Sequence, residues 1–217
     1  MTSATETLGT GRDLLSISPV IPVIVLDSAT DAVPLARALA RGGVRIMEIT
    51  LRTPAGIEAI ERVAAEVPET TVGAGTVTTP EEVAAAVKAG AQFIVTPGAT
   101  DRLLAAALDT GLPLLAGANT LTEILRLREH GQQAVKFFPA EASGGTAYLK
   151  AVSGPVPDVS FCPTGGIGPA NAAQYLALPN VGCVGGSWLT PAAAVRAGDW
   201  AAIEGLAGEV ATLAAGG

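Results

Sequence analysis

Residues 71–98 read TVGAGTVTTPEEVAAAVKAGAQFIVTPG, and the order of residue types in this stretch decides the fold. TVGAGTV (71–77) is apolar, small or β-branched throughout, the composition of a strand covered on both faces. Thr79-Pro80 then offers a capping side chain followed by a proline suited to the first helical position. Glu82 stands three residues after Thr79, which is the spacing of a capping box. An alanine-rich segment runs on to Gly90, the residue type that ends helices in the left-handed conformation. QFIVTPG (92–98) begins a second apolar run. Strand, helix and strand in this order form one β-α-β unit, whose two strands lie parallel.

The same unit repeats in both directions. VIPVIVLD (20–27) and RIMEITL (45–51) precede it, and LPLLAGA (112–118), AVKFFPA (134–140), VSFCPTGG (159–166) and VGCVGGSWL (181–189) follow. The segments between carry helix signals. Thr53-Pro54, Gly168-Pro169 and Thr190-Pro191 each read as a cap before a first-turn proline, and Thr120 with Glu123 repeats the capping-box spacing. Leu103, Leu104, Ala107 and Leu108 form an apolar stripe at helical period, while Gly42, Gly111 and Gly131 read as helix stops. Eight such units, spaced by about 20–27 residues, predict an α/β fold of the (β/α)₈ TIM-barrel type. The structural rival, an open doubly wound sheet, calls for a glycine-rich turn after the first strand, and VLDSATDAV (25–33) has no glycine. The expectation is one domain over residues 1–217, with 1–15 an N-terminal extension in which DLLSI (13–17) starts a short extra helix.

Composition excludes several classes of function. Of 217 residues 49% are hydrophobic and 15% charged, enough for a large core, and only 4% are aromatic, so Ala, Val, Leu and Ile must build it. Lys and Arg number 13 against 20 Asp and Glu, a net charge of −7, which is no footprint for nucleic acid. No apolar run is long enough to span a bilayer, and MTSATETLGTGRD lacks the basic and apolar segments of a secretory signal. Cys162 and Cys183 therefore read as buried thiols of a cytoplasmic protein. One histidine, His130, stands at an apparent helix end, so neither a histidine-based zinc site nor a Ser-His-Asp relay is expected.

In a (β/α)₈ barrel the chemistry sits at the C-terminal ends of the strands. Lys88 and Lys150 fall on helix surfaces, but Lys136 interrupts an apolar strand between Val135 and Phe137. Burial disfavours its charged form, and a neutral lysine can attack a carbonyl to form a Schiff base; the structural alternative is a lysine paired with a carboxylate. Glu48 interrupts RIMEITL in the same way and, by strand parity, shares a face with Thr50 and Arg52. Two readings are open: a buried ion pair, or Glu48 as general acid/base with Arg52 gripping a carboxylate in a bidentate fork. Glycines in GAGT (73–76) and TPG (96–98) can simply turn the chain, whereas a Thr76 hydroxyl at the barrel mouth can hold a substrate carboxylate. Gly165-Gly166 after the seventh strand and Gly185-Gly186-Ser187 at the eighth fall where many barrels bind phosphate through backbone N–H groups.

Lys136 with its neighbours FFPAE (137–141), together with EITLRTP (48–54), GAGTV (73–77), FIVTPG (93–98) and PTGGI (163–167), resembles the 2-keto-3-deoxy-6-phosphogluconate (KDPG) aldolases over roughly residues 16–200. The resemblance implies a metal-free class I aldolase without a cofactor, homotrimeric, on a (β/α)₈ barrel. Its substrate would be a phosphorylated 2-keto-3-deoxy sugar acid, cleaved to pyruvate and glyceraldehyde 3-phosphate in the Entner–Doudoroff pathway. Some members also cleave 4-hydroxy-2-oxoglutarate to pyruvate and glyoxylate. By motif, Lys136 would be the Schiff-base lysine and Glu48 the proton shuttle. Arg52, Thr76, Pro97 and Phe138 would line the pyruvate side, and Gly165, Gly166, Gly185, Gly186 and Ser187 the phosphate site. The alternatives are a sister aldolase, an enzyme of another reaction class, and a non-enzymatic barrel kept as an assembly subunit. The sister aldolase for the galactonate epimer tends to carry Asn-Ser-Pro where this chain has Arg52-Thr53-Pro54. A phosphate-binding barrel isomerase or epimerase would use Glu48 as base and Lys136 as an electrostatic partner only.

Overall fold

The structure, a computed structural model, describes residues 10–214. Eight strands alternate with helices: β1 (Val20–Ile24), β2 (Ile46–Thr50), β3 (Thr71–Gly75), β4 (Ile94–Val95), β5 (Leu114–Ala118), β6 (Ala134–Phe137), β7 (Ser160–Pro163) and β8 (Val184–Gly186). Helix α1 (Gly11–Ile17) precedes them, as DLLSI led one to expect. Between and after the strands come α2 (Ala32–Arg41), α3 (Gly56–Glu66), α4 (Pro80–Lys88), α5 (Asp101–Leu108), α6 (Leu121–Glu129), α7 (Gly145–Val152), α8 (Ala172–Leu176), α9 (Ala192–Ala197) and α10 (Trp200–Ala214). The sheet runs β7-β6-β5-β4-β3-β2-β1-β8, with parallel pairing at every ladder. Two parallel bridges close the ring: Phe161 of β7 pairs with Val181, just before β8, and Gly185 of β8 pairs with Thr164, just after β7. Eight parallel strands with helices outside are a (β/α)₈ barrel. Among the described residues no helix is long and apolar enough to cross a membrane.

Register decides which side chains enter the barrel. Residues paired in a ladder point the same way, so Val23, Glu48 and Gly73 share the inner face on one side, and Gly117, Lys136 and Cys162 on the other. Their chain neighbours, such as Met47, Ile49, Val135 and Phe161, alternate to the outer face and are buried there. Cys162 and Cys183 are free and buried. The hydrogen bond that the Cys183 thiol makes to Cys162, and then burial, push this thiol up.

The helix signals held at α4 and α6, where Thr79 with Glu82 and Thr120 with Glu123 form complete capping boxes. Gly90, Gly111 and Gly131 take the positive φ that a helix stop needs. Elsewhere tertiary contacts redirect the same residues. Thr53 does not cap α3, because its hydroxyl donates to the Leu26 carbonyl at 2.6 Å and the helix starts at Gly56 behind Ala55. At Gly168-Pro169 the Gly168 N–H goes to Asn171 Oδ1 at 2.9 Å, a turn intervenes, and α8 starts only after Asn171. Pro191 is itself the extended residue before α9 rather than its first helical residue. Gly42 keeps an ordinary φ of −74°, and Gly43 takes the left-handed turn at 93°. Gly42 is small for a different reason: a Cβ there would lie 2.5 Å from the Ala207 Cβ of α10.

Candidate active site

Strands β2 and β6 are four places apart in a ring of eight, so they face each other across the barrel. From them Glu48 and Lys136 reach inward and meet, Nζ to Oε1, at 3.2 Å. Their side chains are 4% and 3% exposed. Gly75, on the neighbouring strand, leaves the space that the Glu48 carboxylate fills; a Cβ at that position would collide with it. On the other side the Lys136 ammonium position lies 5.4 Å from the centroid of the Phe138 ring. Taking two opposite charges out of water costs several kcal/mol per ion, and a lone bridge seldom recovers it. A well-packed apolar pair would hold β2 and β6 together as well. What the ionic pair adds is a proton that can pass from Nζ to the carboxylate, leaving an amine able to attack a carbonyl.

Beside this pair, Arg52 Nε donates to Thr76 Oγ1 at 3.0 Å, so two residues read separately from the sequence form one unit. Thr76 is the one non-glycine residue with positive φ among those described, at 57°. A β-branched residue in that region is strained by about 1–3 kcal/mol. The loop after β2 is tied to the end of β1 through Thr50, whose hydroxyl donates to the Ile24 carbonyl at 2.9 Å, and through Thr53. Pro97 is half-buried after β4, its carbonyl filling the space that a side chain at Gly117 would take. Thr96 fixes it there, accepting the Gly117 N–H at 3.2 Å.

The glycine loops differ from one another. Gly165 and Gly166 both take left-handed φ, 100° and 79°, so this turn admits no ordinary side chain. Its carbonyls are held from three directions: Ala140 N–H donates to Thr164 at 2.8 Å, Glu141 N–H to Gly165 at 3.1 Å and Asn171 Nδ2 to Gly166 at 3.1 Å. Gly185 and Gly186 are buried, and a Cβ on them would meet Thr164 and the Trp188 ring, so packing alone demands small residues there. Ser187 is exposed beside them. The sequence reading missed Glu141, Asn171 and Tyr175. Glu141 was in view within KFFPAE, but an acidic residue after a strand looks like any helix start. Tyr175 and Asn171 reach the loop only through the placement of α8.

A family model described as KDPG and KHG aldolase matches residues 12–206. The 2-dehydro-3-deoxy-phosphogluconate aldolase of Pseudomonas aeruginosa is 54% identical over 190 residues, 88% of this chain and 86% of that protein. The KHG/KDPG aldolase of Escherichia coli is 50% identical over 198 residues, covering 91% and 93% of the two chains. A KDPG aldolase from Legionella pneumophila, solved with pyruvate captured as a covalent carbinolamine, matches with a TM-score of 0.91 at 45% identity over 93% of this chain and 98% of its own. With the family model spanning nearly the whole barrel, the chain belongs to the KDPG and KHG aldolase family and is a lyase.

Proposed function

We propose that the chain is a class I aldolase that cleaves 2-keto-3-deoxy-6-phosphogluconate to pyruvate and glyceraldehyde 3-phosphate through a Schiff base on Lys136. The observation that carries this reading is the buried Lys136–Glu48 pair at 3.2 Å inside the barrel. Proton transfer to Glu48 frees the amine, and Nζ attacks the C2 carbonyl. Glu48 returns the proton to the former carbonyl oxygen, giving a carbinolamine, and loss of water gives an iminium. Glu48 then takes the proton of the C4 hydroxyl. The C3–C4 bond breaks, its electron pair moves into the enamine and on toward the iminium nitrogen, and the aldehyde leaves. Protonation at C3 by Glu48 and hydrolysis by water release pyruvate and restore the lysine. A carboxylate within hydrogen-bond reach of Nζ stands beside the carbon that Nζ attacks, where the first proton transfers take place.

The remaining roles are assigned by the motifs shared with the family. Arg52, oriented by Thr76, grips the substrate carboxylate in a bidentate fork. Pro97 and Phe138 line the pyruvate half. Gly165, Gly166, Gly185, Gly186 and Ser187 receive the phosphate. No metal takes part, so full activity survives exhaustive EDTA treatment. The reading extends to cleavage of 4-hydroxy-2-oxoglutarate, to a place in the Entner–Doudoroff pathway, and to a cytoplasmic homotrimer of single-domain chains. The test is borohydride reduction with pyruvate, peptide mapping of the adduct, and cleavage of both C4 epimers. An adduct on Lys136 and faster cleavage of the gluconate epimer are expected. An adduct on Lys88 or Lys150 would sink the assignment, and preference for the other epimer would make this the galactonate enzyme.

A further inference from the structure

A carboxylate beside a loop that receives a dianion is unfavourable unless something restrains it. Glu141, in the turn after β6, is such a residue. Its backbone N–H donates to the Gly165 carbonyl at 3.1 Å. Its stem underlies the next glycine, since a Cβ at Gly166 would lie 2.6 Å from Glu141 Cγ. Its head points elsewhere: the hydroxyl of Tyr175, a residue 1% exposed on α8, donates to Oε1. Gly145 makes room for this contact, because a Cβ there would stand 3.0 Å from the Tyr175 hydroxyl and 3.3 Å from Glu141 Oε1. Burial, then the Glu141 hydrogen bond and charge, push the Tyr175 phenol up, so near neutral pH it is a proton donor.

We propose that Glu141 and Tyr175 are positioning residues for the phosphate end of the substrate. The Glu141 stem supports the Gly165-Gly166 turn, and the Tyr175 hydroxyl keeps the carboxylate turned away from the bound phosphate. This rests on the phosphate reading of these loops given above. Tyr175→Phe removes one oxygen and leaves the Asn171 brace on Gly166 in place, so the turn keeps its outline while the carboxylate is set free.

The experiment compares wild type, Tyr175→Phe, the double variant Tyr175→Phe/Glu141→Gln, and Ser187→Ala on the phosphorylated substrate and on 4-hydroxy-2-oxoglutarate. For Tyr175→Phe, KM for the phosphorylated substrate should rise about tenfold, the scale of one uncompensated like charge at a partly dry site. Turnover of 4-hydroxy-2-oxoglutarate and reductive trapping with pyruvate should change less than about twofold, which also shows that the barrel is intact. The double variant should recover most of the lost affinity, because no charge is left to repel the phosphate. Equal losses on both substrates, no loss at all, or no recovery in the double variant would each overturn the proposal. Ser187→Ala separates it from the reading beneath it. If Ser187→Ala discriminates between the substrates and Tyr175→Phe does not, only the role of this pair falls. If neither discriminates, the phosphate site itself is misplaced.

Discussion

A single methyl group at position 75 tests how closely the reacting pair must be held. Gly75 lies against the Glu48 carboxylate, with no room for a Cβ. Gly75→Ala therefore pushes the carboxylate away from Lys136 by a distance on the order of 1 Å, a misplacement worth about a hundredfold in rate. We expect kcat/KM to fall by that factor while the Lys136 adduct with pyruvate still forms, more slowly. A variant within about threefold of wild type would show that Glu48 works from a different position. The two partners were legible in the sequence, because Lys136 and Glu48 are charged residues inside apolar strands. Their meeting was not. Strand parity put Glu48 on one face with Thr50 and Arg52, but that β2 and β6 stand opposite one another is a property of the closed ring. The purpose of Gly75 was equally hidden, since GAGT reads as a turn until the carboxylate beside it is seen.

At the level of elements, all eight apolar runs contain a strand, yet most run past it. Past β4 and β7, Thr96 and Thr164 still bond to the neighbouring strands, and only then do Pro97-Gly98 and Gly165-Gly166 leave the ladder as loops, where the proposed site residues lie. Composition marks where a buried strand begins better than where its pairing stops, because the residues at the mouth are small and apolar too. Caps were legible where the capping side chain bonds within its own helix, as at α6, and not where the loop after β1 claims it, as at Thr53. The α6 box also has a measurable pH signature. Burial pulls the Glu123 carboxyl up, but hydrogen bonds from the Asn119 and Thr120 N–H groups, both 2.9 Å, and from the Thr120 hydroxyl outweigh it and hold the group below its usual 4.5. Its folded value lies below its unfolded one, so the stability it contributes is present above about pH 4.5 and is lost as the pH falls through the folded value. In Glu123→Gln this acid-dependent part should vanish. Thermal unfolding of the two proteins between pH 6 and about pH 3 checks it: the wild-type Tm should drop more steeply than that of the variant, and parallel curves would remove the assignment.

For the whole molecule, the order of units along the chain sufficed to read the barrel, since each β-α-β unit is local and the first strand lacks the glycine-rich turn of an open doubly wound sheet. How it closes was not readable. Between its two bridges, β7 advances from Phe161 to Thr164 while the opposite strand advances from Val181 to Gly185, so one side carries an extra residue and the pairing slips. On either side of this join stand the residues assigned to the phosphate, Gly165-Gly166 from one strand and Ser187 from the other. A phosphate held by both would act as a clasp across the join, linking substrate affinity to the integrity of the ring. At a hundredfold excess over its Kd such a ligand adds about 2.7 kcal/mol to stability. Backbone amides of β7 and β8 should then exchange hydrogen more slowly with glyceraldehyde 3-phosphate bound than with pyruvate bound, whose proposed contacts are Arg52, Thr76, Pro97 and Phe138. Equal protection by both ligands would mean the join is already sealed. Slower exchange with the phosphorylated product would mean that the molecule about to be released also tightens the join that two lone bridges hold between turnovers.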